Sequence, residues 1–317
     1  MPRCLGRLAF IALLMGAAAG VLWAPPGADA ATAQDCRLCH EDFFESFSET
    51  MHGKVLLHNP RNDMQAKGCE ACHGPGEAHM ADAKDGRGND LAKITSFKKH
   101  SPLTAAQKNE VCLGCHTNDD YKMYWKGSQH QSNGVACVDC HTIMKKTGKT
   151  RQMAKGTVED TCFQCHTQRK AQFQRTNHMP FREGKMTCTN CHNPHGSAGQ
   201  RLLVGLTVNE TCYTCHMEKR GPFLWEHAPV RENCTNCHDP HGTNNHKALK
   251  AKIPFLCQRC HANTNHPSNA YTDPRAVDAN GAYVTTGTGQ FMYNRGCLNC
   301  HQQIHGSNSP SGPRFHR

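Results

Sequence analysis

The longest apolar run of this chain lies near its start, over residues 8–21. Arg3 and Arg7 precede the run, and the small residues Ala28-Asp29-Ala30 follow it. This order of basic, apolar and small residues predicts a secretory signal peptide over residues 1–30, cleaved after Ala30. The run is short for a membrane-spanning helix and no second run follows, so we expect an exported chain, with an uncleaved anchor as the alternative.

The remaining 287 residues (317 − 30) contain few aliphatic runs and much Gly, Pro, Asn and Thr, and the mean hydropathy of the chain is −0.67. Such a pattern predicts short helices, for instance over residues 104–115 and 158–169, joined by turns. We expect a mostly irregular fold with little or no β-structure. Side chains this polar cannot build a large core by themselves.

Cys-x-x-Cys-His occurs ten times and accounts for twenty of the twenty-one cysteines. The spacing is typical of covalent haem attachment, because the two thiols add to the vinyl groups at one porphyrin edge and the next residue reaches the iron. We therefore predict ten covalently bound c-type haems. The predicted attachment residues are Cys36, Cys39, Cys69, Cys72, Cys112, Cys115, Cys137, Cys140, Cys162, Cys165, Cys188, Cys191, Cys212, Cys215, Cys234, Cys237, Cys257, Cys260, Cys297 and Cys300. The predicted proximal iron ligands are His40, His73, His116, His141, His166, His192, His216, His238, His261 and His301.

Zinc sites and disulfides are the other common uses of paired cysteines. A zinc ribbon has no reason to place a histidine after every second cysteine. Disulfides would need free cysteines, and none remains in the mature chain once ten haems are attached. With about 29 residues per haem (287 divided by 10), each porphyrin must serve as a core element, so the chain without haem is expected to be largely unfolded.

The formal charge of +10 would ordinarily favour an anionic partner. Ten haems bring twenty propionates, which would move the balance to about −10 if most ionise, with lysine and arginine pairing them locally. The chain also lacks a recognisable nucleic-acid-binding motif. We therefore predict no nucleic-acid partner.

The motifs, numbered 1 to 10 in chain order, alternate between two kinds. Motifs 3, 5 and 7 each follow an acidic residue closely, in Asn109-Glu110-Val111-Cys112, Glu159-Asp160-Thr161-Cys162 and Asn209-Glu210-Thr211-Cys212. Motifs 4, 6 and 8 have a histidine seven or ten residues upstream, namely His130, His178 and His227. A repeating unit with two haems predicts an elongated haem wire, because repeated units contact mainly their neighbours. We expect one decahaem domain over residues 31–317, with haems 1–5 in about 31–170 and haems 6–10 in 171–317.

Six-coordinate haems need a second axial ligand each, and thirteen histidines lie outside the motifs. Bis-histidine ligation accounts for this high histidine content. The predicted distal ligands are His52, His79, His130, His178, His195, His227, His241, His246, His266 and His305. Three histidines are left over, His58, His100 and His316, and His100 is the alternative to His246.

Two of the predicted distal ligands point to links between repeats. His195 and His241 lie three residues after a proximal ligand and cannot easily reach the opposite face of the same iron, so we expect them to ligate neighbouring haems. Methionine is the rival sixth ligand, and Met51, Met80 and Met179 adjoin predicted histidines.

A six-coordinate haem has no open position for a substrate, so the predicted role is electron transfer and no catalytic residue is assigned. Nitrite reductases with several haems often carry Cys-x-x-Cys-Lys at the catalytic haem, and this chain has no such motif.

The order of the motifs and several flanking segments carry a family resemblance. They are Gly68-Cys-Glu-Ala-Cys-His-Gly-Pro-Gly76 with His79, Ser101-Pro102 before motif 3, the Pro-His-Gly segments at His195 and His241, and Gly296-Cys-Leu-Asn-Cys-His with His305-Gly306. Over nearly the whole mature length the chain resembles the periplasmic decahaem c-type cytochromes of porin–cytochrome complexes, the MtrA, MtoA, PioA and DmsE type. It lacks the long N-terminal extension of some iron-oxidising relatives.

The resemblance implies a periplasmic protein associated with the outer membrane, inside a β-barrel porin. Its other partners would be periplasmic or inner-membrane electron carriers and an extracellular multihaem cytochrome or terminal reductase. Metal reduction, iron oxidation and sulfoxide respiration are all served by such conduits. A soluble periplasmic electron shuttle or store, and a multihaem oxidoreductase with one open haem, are the alternatives.

Overall fold

The computed structural model describes residues 31–85, 92–176, 178, 181–261, 280, 296–310 and 312–316. Within these residues, short α-helices are separated by turns and irregular segments. They are α1 (Ala33–Arg37), α2 (Glu41–Ser48), α3 (Met51–Gly53), α4 (Asp63–Ala66), α5 (Glu70–His73), α6 (Glu77–Lys84), α7 (Ala105–Leu113), α8 (Gln129–Ser132), α9 (Cys137–Cys140), α10 (Val158–Cys162), α11 (Thr167–Phe173), α12 (Val208–Tyr213), α13 (Ala228–Glu232) and α14 (Phe255–Gln258).

Single turns of 3₁₀ helix add to these, at Asp120–Lys122, Cys188–Asn190, Gln200–Leu202, Met217–Lys219, Cys234–Asn236, His246–Ala248 and Cys297–Asn299, and Lys54–His58 forms a π-turn. The described residues contain only isolated β-bridges, such as His141 with Met153, and no strand. The predicted fold class, mostly irregular with short helices, is confirmed.

Side-chain caps explain where several helices begin. Thr104 accepts a hydrogen bond from the backbone N–H of Gln107 at the start of α7, and the Gln107 side chain accepts one from the Thr104 N–H. Thr207 and Glu210 form the same reciprocal pair at α12. Such capping satisfies N–H groups that lack partners within the helix, which stabilises helices too short to persist alone.

The helix predicted over residues 158–169 is wrong in its continuity. It ends at Cys162 and a second helix starts at Thr167, because His166 has a non-helical backbone with φ −87° and ψ 55°. His40 and His216 leave the helical region in a similar way. The proximal histidines of motifs 1, 5 and 7 therefore interrupt the helical path of the chain.

Even-numbered motifs are followed by a loop that folds back on the motif. The backbone N–H next to the proximal histidine donates to a carbonyl about ten residues later, in three matching bonds of 2.8 Å: Thr142 to Gln152, Asn193 to Leu202 and Asp239 to Ala248. The three loops share a left-handed residue at their return, with φ of 50°, 54° and 56° at Arg151, Arg201 and Lys247. Motifs 4, 6 and 8 thus share one local fold.

Few apolar side chains are buried in the described part of the chain. They are Ala31, Phe47, Trp125, Ala136 and Ala248, and three of these five are alanines. The polypeptide alone therefore buries little apolar area, as expected of a chain that is completed by large cofactors.

No helix among the described residues is both long and apolar enough to cross a membrane. The predicted signal peptide lies outside those residues.

Buried asparagines join motif 3 to motif 4 and motif 7 to motif 8. Asn109 in α7 accepts from the N–H of Cys137 at 2.7 Å and donates to the carbonyl of Val135 at 3.0 Å. Asn209 in α12 makes matching bonds to Cys234 and Val230. The asparagine amide therefore holds the two motifs of a repeat together.

We expect Asn109→Ala to destabilise the holoprotein by roughly 1–3 kcal/mol, because the buried N–H of Cys137 and carbonyl of Val135 would lose their partner. Urea unfolding followed by the Soret circular dichroism would measure the change. The control is Asn133→Ala, whose side chain bonds to Gln129 at the exposed surface. Equal midpoints for the two variants would contradict a joining role for Asn109.

Candidate haem-binding sites

The proximal histidine of every even motif is oriented by a backbone carbonyl. The Nδ1 atoms of the five histidines lie 2.6–3.0 Å from carbonyl oxygens in the pairs His73 with Thr95, His141 with Arg151, His192 with Arg201, His238 with Lys247 and His301 with Arg314. A carbonyl only accepts, so Nδ1 carries the hydrogen and the Nε2 lone pair is left for a metal. Metal-binding histidines commonly use this arrangement to fix the tautomer and the ring orientation.

Several distal candidates are held in the same way. His130 Nδ1 donates to the carbonyl of Pro194 at 2.7 Å, and His227 Nδ1 donates to that of Ile304 at 3.1 Å. His52 Nδ1 lies 2.7 Å from the side-chain oxygen of Gln152. These three rings are therefore also prepared to bind through Nε2.

Eight of the ten predicted distal histidines face a proximal histidine of another motif. The ring centroids lie 5.9–6.3 Å apart in the pairs His40 with His79, His116 with His52, His166 with His130, His216 with His178, His261 with His227, His141 with His195, His192 with His241 and His238 with His305.

This separation suits one iron between two imidazoles. Metal–nitrogen bonds of about 2 Å and a nitrogen-to-centroid distance of about 1.2 Å give roughly 6.3 Å between centroids. The interplanar angles run from 10° for His40 and His79 to 68° for His178 and His216. Rotation about the axis through the iron leaves the bonds unchanged, so both extremes are compatible with six-coordinate haem.

The pairs follow a rule of position. A histidine upstream of an even motif faces the proximal histidine of the next odd motif, as His130 faces His166. A histidine just after an even motif faces the proximal histidine of the even motif two places earlier, as His195 faces His141. Seven of the eight facing pairs therefore join different repeats, His195 and His241 among them, whereas His40 and His79 join motifs 1 and 2.

Thiol contacts place the motifs in chain order. The thiols of the first cysteines of motifs 1 and 2 interact, which raises the pKa of Cys36 and lowers the pKa of Cys69 to about 7. Equivalent contacts join motifs 3 and 4, 5 and 6, 7 and 8, and 9 and 10 through Cys112 with Cys137, Cys162 with Cys188, Cys212 with Cys234, and Cys257 with Cys297.

The second cysteine of each of motifs 2, 4, 6 and 8 lies in the electrostatic range of the next motif, in the pairs Cys72 with Cys112, Cys140 with Cys162, Cys191 with Cys215 and Cys237 with Cys260. The cysteines of motifs that follow one another in the chain thus influence each other electrostatically, from motif 1 to motif 10. The sequence predicts that haems 1–5 and haems 6–10 are divided near residue 170. Cys162 and Cys188 lie on either side of that residue, and the division stays a prediction.

Burial keeps several of the paired imidazoles neutral. It lowers the pKa of His195 and of His305 to about 4, and it lowers the pKa of His192 and His241 as well. Neutral imidazole is the form that binds a metal. The sites therefore favour the iron-binding form of these ligands at neutral pH.

The other predicted histidines stand apart from these pairs. His246 is exposed and forms no ring pair with a proximal histidine among the described residues, and His266 lies outside them. The spare residues His58 and His100 are also exposed. His316, another spare residue, lies with its ring centroid 4.6 Å from that of His301, which is closer than a ring–iron–ring arrangement.

Sequence reasoning did not identify the carbonyls that orient the proximal rings. Every residue has a backbone carbonyl, so the identities of Arg151, Arg201 and Lys247 do not indicate that they accept a hydrogen bond from a proximal histidine. Their left-handed backbones were also unforeseen, because glycine is the residue that usually indicates such a turn.

Repeated attachment motifs combined with facing histidines define a multihaem c-type cytochrome. The multiheme cytochrome MtrA of Shewanella baltica is 42% identical to this chain over 301 residues, which cover 93% of the chain and 83% of that protein. The chain belongs to the family of MtrA-like multihaem cytochromes.

Other likenesses cover parts of the chain. A family model described as a doubled CXXCH motif matches residues 178–221 and 227–266, and one described as cytochrome c-type protein NrfB-like matches residues 69–158. The cytochrome c-type protein NrfB of Escherichia coli is 29% identical over 147 residues, 45% of this chain and 66% of that protein. These matches support multiple c-type haems bound through the repeated motifs.

We expect His195→Ala to open the haem attached at Cys137 and Cys140, because His195 faces His141. Electron paramagnetic resonance of the oxidised holoprotein should gain a high-spin signal equal to one haem. That signal should be absent when Cys137 and Cys140 are also replaced by alanine.

The matched control is His100→Ala, which removes an exposed histidine and should leave every haem low-spin. A high-spin haem at Cys188 and Cys191 in the His195 variant would contradict the link between repeats.

Proposed function

We propose that the chain binds ten c-type haems, all six-coordinate, and conducts electrons along them in chain order. The observation that carries the proposal is the set of eight facing histidine pairs, whose ring centroids lie 5.9–6.3 Å apart. The haems supply the one-electron chemistry, and the chain attaches, orients and spaces them.

Closed coordination favours conduction over catalysis. An iron held between two imidazoles has no position for a substrate. The chain would therefore take electrons from one partner and deliver them to another, without bond chemistry of its own.

We place this conduit in the periplasm at the outer membrane, inside a β-barrel porin. Electrons would pass between periplasmic or inner-membrane carriers and an extracellular multihaem cytochrome or terminal reductase. The identity to MtrA over most of both chains supports this placement. A row of ten haems has the length to cross a hydrocarbon core of roughly 30 Å.

Quantitation of haem together with electron paramagnetic resonance tests the ligation. We expect ten haems per chain, all low-spin in the oxidised protein and unchanged by nitrite or hydroxylamine. A high-spin component that binds either compound would instead indicate an oxidoreductase with one open haem.

Reconstitution tests the conduit. The chain is co-expressed with a β-barrel encoded beside its gene, and the purified complex is placed in liposomes that enclose a redox dye. We expect oxidation or reduction of the enclosed dye by an external reagent only when both proteins are present. The control is the chain in liposomes without the barrel. If the two proteins purify separately and no electrons cross the bilayer, the result would instead support a soluble periplasmic shuttle.

A further inference from the structure

One position recurs after the even motifs and supplies the facing histidine. It is occupied by His195 and His241, three residues after the proximal histidines of motifs 6 and 8, and after motif 10 by His305, four residues after His301. Their rings lie 6.1–6.2 Å from His141, His192 and His238, each in the even motif two places earlier, at interplanar angles of 12–17°. By this rule motif 4 should supply the ligand opposite His73 in motif 2.

Methionine occupies that position after motif 4. Met144 lies three residues after His141, as His195 lies three residues after His192 and His241 three residues after His238. Thioether sulfur is an established axial ligand of c-type haem. Met144 therefore has a side chain that can bind haem iron and the expected position in the sequence.

The loop that carries Met144 has the same local fold as the two loops that carry His195 and His241. In each, the residue after the proximal histidine donates to the returning strand-like segment at 2.8 Å, as Thr142 donates to Gln152. In each, the second cysteine accepts from that segment at 2.8–2.9 Å, from Ala154, Val204 or Lys250. The loop after motif 4 is one residue longer than the other two, and within this shared pattern of bonds position 144 matches positions 195 and 241 in its distance from the proximal histidine.

The loop that carries Met144 also contacts the segment that the positional rule predicts. Gly196, next to His195, packs against the backbone of Tyr124, which lies six residues before His130. The hydroxyl of Ser46, six residues before His52, donates to the carbonyl of Met144 at 3.0 Å. Motif 4 therefore meets the segment before His52 as motif 6 meets the segment before His130.

The side chains support a longer ligand here. Glycine follows the ligand histidine in the other loops, and a Cβ on Gly196 would lie 2.1 Å from the Tyr124 carbonyl oxygen. Lys145 occupies that place beside Met144, so this loop cannot approach its neighbour as closely. Methionine is unbranched and flexible, and it can reach across a wider gap than an imidazole.

Histidine offers no competitor at this site among the described residues. His73 packs edge-on against Phe97, with ring centroids 5.6 Å apart, and forms no pair with a second histidine there. The unassigned His58 and His100 are exposed, whereas Met144 is partly buried.

We propose that Met144 is the sixth ligand of the haem attached at Cys69 and Cys72, opposite His73. This inference rests on the proposed function, in which every motif carries a haem. Methionine in place of histidine raises the reduction potential of a haem. The second haem from one end of the row would therefore be reduced more readily than its bis-histidine neighbours.

The experiment uses the oxidised, haem-loaded protein and two variants, Met144→His and Met144→Ala. Near-infrared magnetic circular dichroism distinguishes sulfur–histidine from bis-histidine ligation, and a potentiometric titration follows the haems one by one. We expect the wild type to have one haem in ten with sulfur ligation. Met144→His should lose that signal with all haems low-spin and a lower potential at one haem, and Met144→Ala should show one high-spin haem.

The control is Met64→Leu, which removes a half-exposed methionine and should keep the sulfur signal. A wild type without the signal, or a signal that survives in Met144→His, would overturn the assignment. Ten haems with bis-histidine ligation throughout would overturn it while leaving the conduit intact. Mass spectrometry showing no haem at Cys69 and Cys72 would overturn both.

Discussion

The structure depends on one constraint, which is that two imidazoles attached to different motifs must face each other across a gap of one metal ion. The chain meets this constraint with very little apolar core. Polar contacts of the backbone do most of the positioning: a returning carbonyl orients each even proximal ring, and in two repeats a buried asparagine joins the odd motif to the even one. Because these contacts fix geometry but bury little apolar area, the free energy of folding must come largely from the haems and their ligands.

The loops after motifs 6 and 10 each contribute to two successive sites, which couples those sites. The loop after motif 6 contains the carbonyl of Pro194, which accepts from His130, and also His195, which faces His141. The loop after motif 10 repeats this with Ile304 and His305. Adjacent residues of one loop thus position the distal ligands of two successive motifs. A displacement of either loop would disturb both, so the row behaves as a connected series of sites.

Much of this arrangement could be predicted from the sequence, because covalent attachment and iron ligation demand particular residues at fixed spacing. The ten motifs and the sparse helices follow from such demands, and so does the expectation that His195 serves a neighbouring motif. The break at His166 could not be predicted, since the local pattern is that of a continuous helix and the ligand's backbone geometry overrides it. The carbonyls that orient the proximal rings could not be predicted either, because every residue has a backbone carbonyl. His246 has the right chemistry, and only the fold places it at the surface.

Direction of electron flow is a separate property from conduction. Haems with like ligands have similar potentials apart from differences in burial and charge, so a uniform row favours neither end and the partners' potentials set the direction. A single methionine ligand would change this, because it creates a local minimum of energy for an electron at the motif 2 haem. The neighbouring haems of motifs 1 and 3, with ligand pairs His40–His79 and His116–His52, would then exchange electrons with a site that is usually reduced. Such a site near one end of the row would hold an electron until the acceptor beyond it is oxidised, which makes the charge state of that end responsive to its partner.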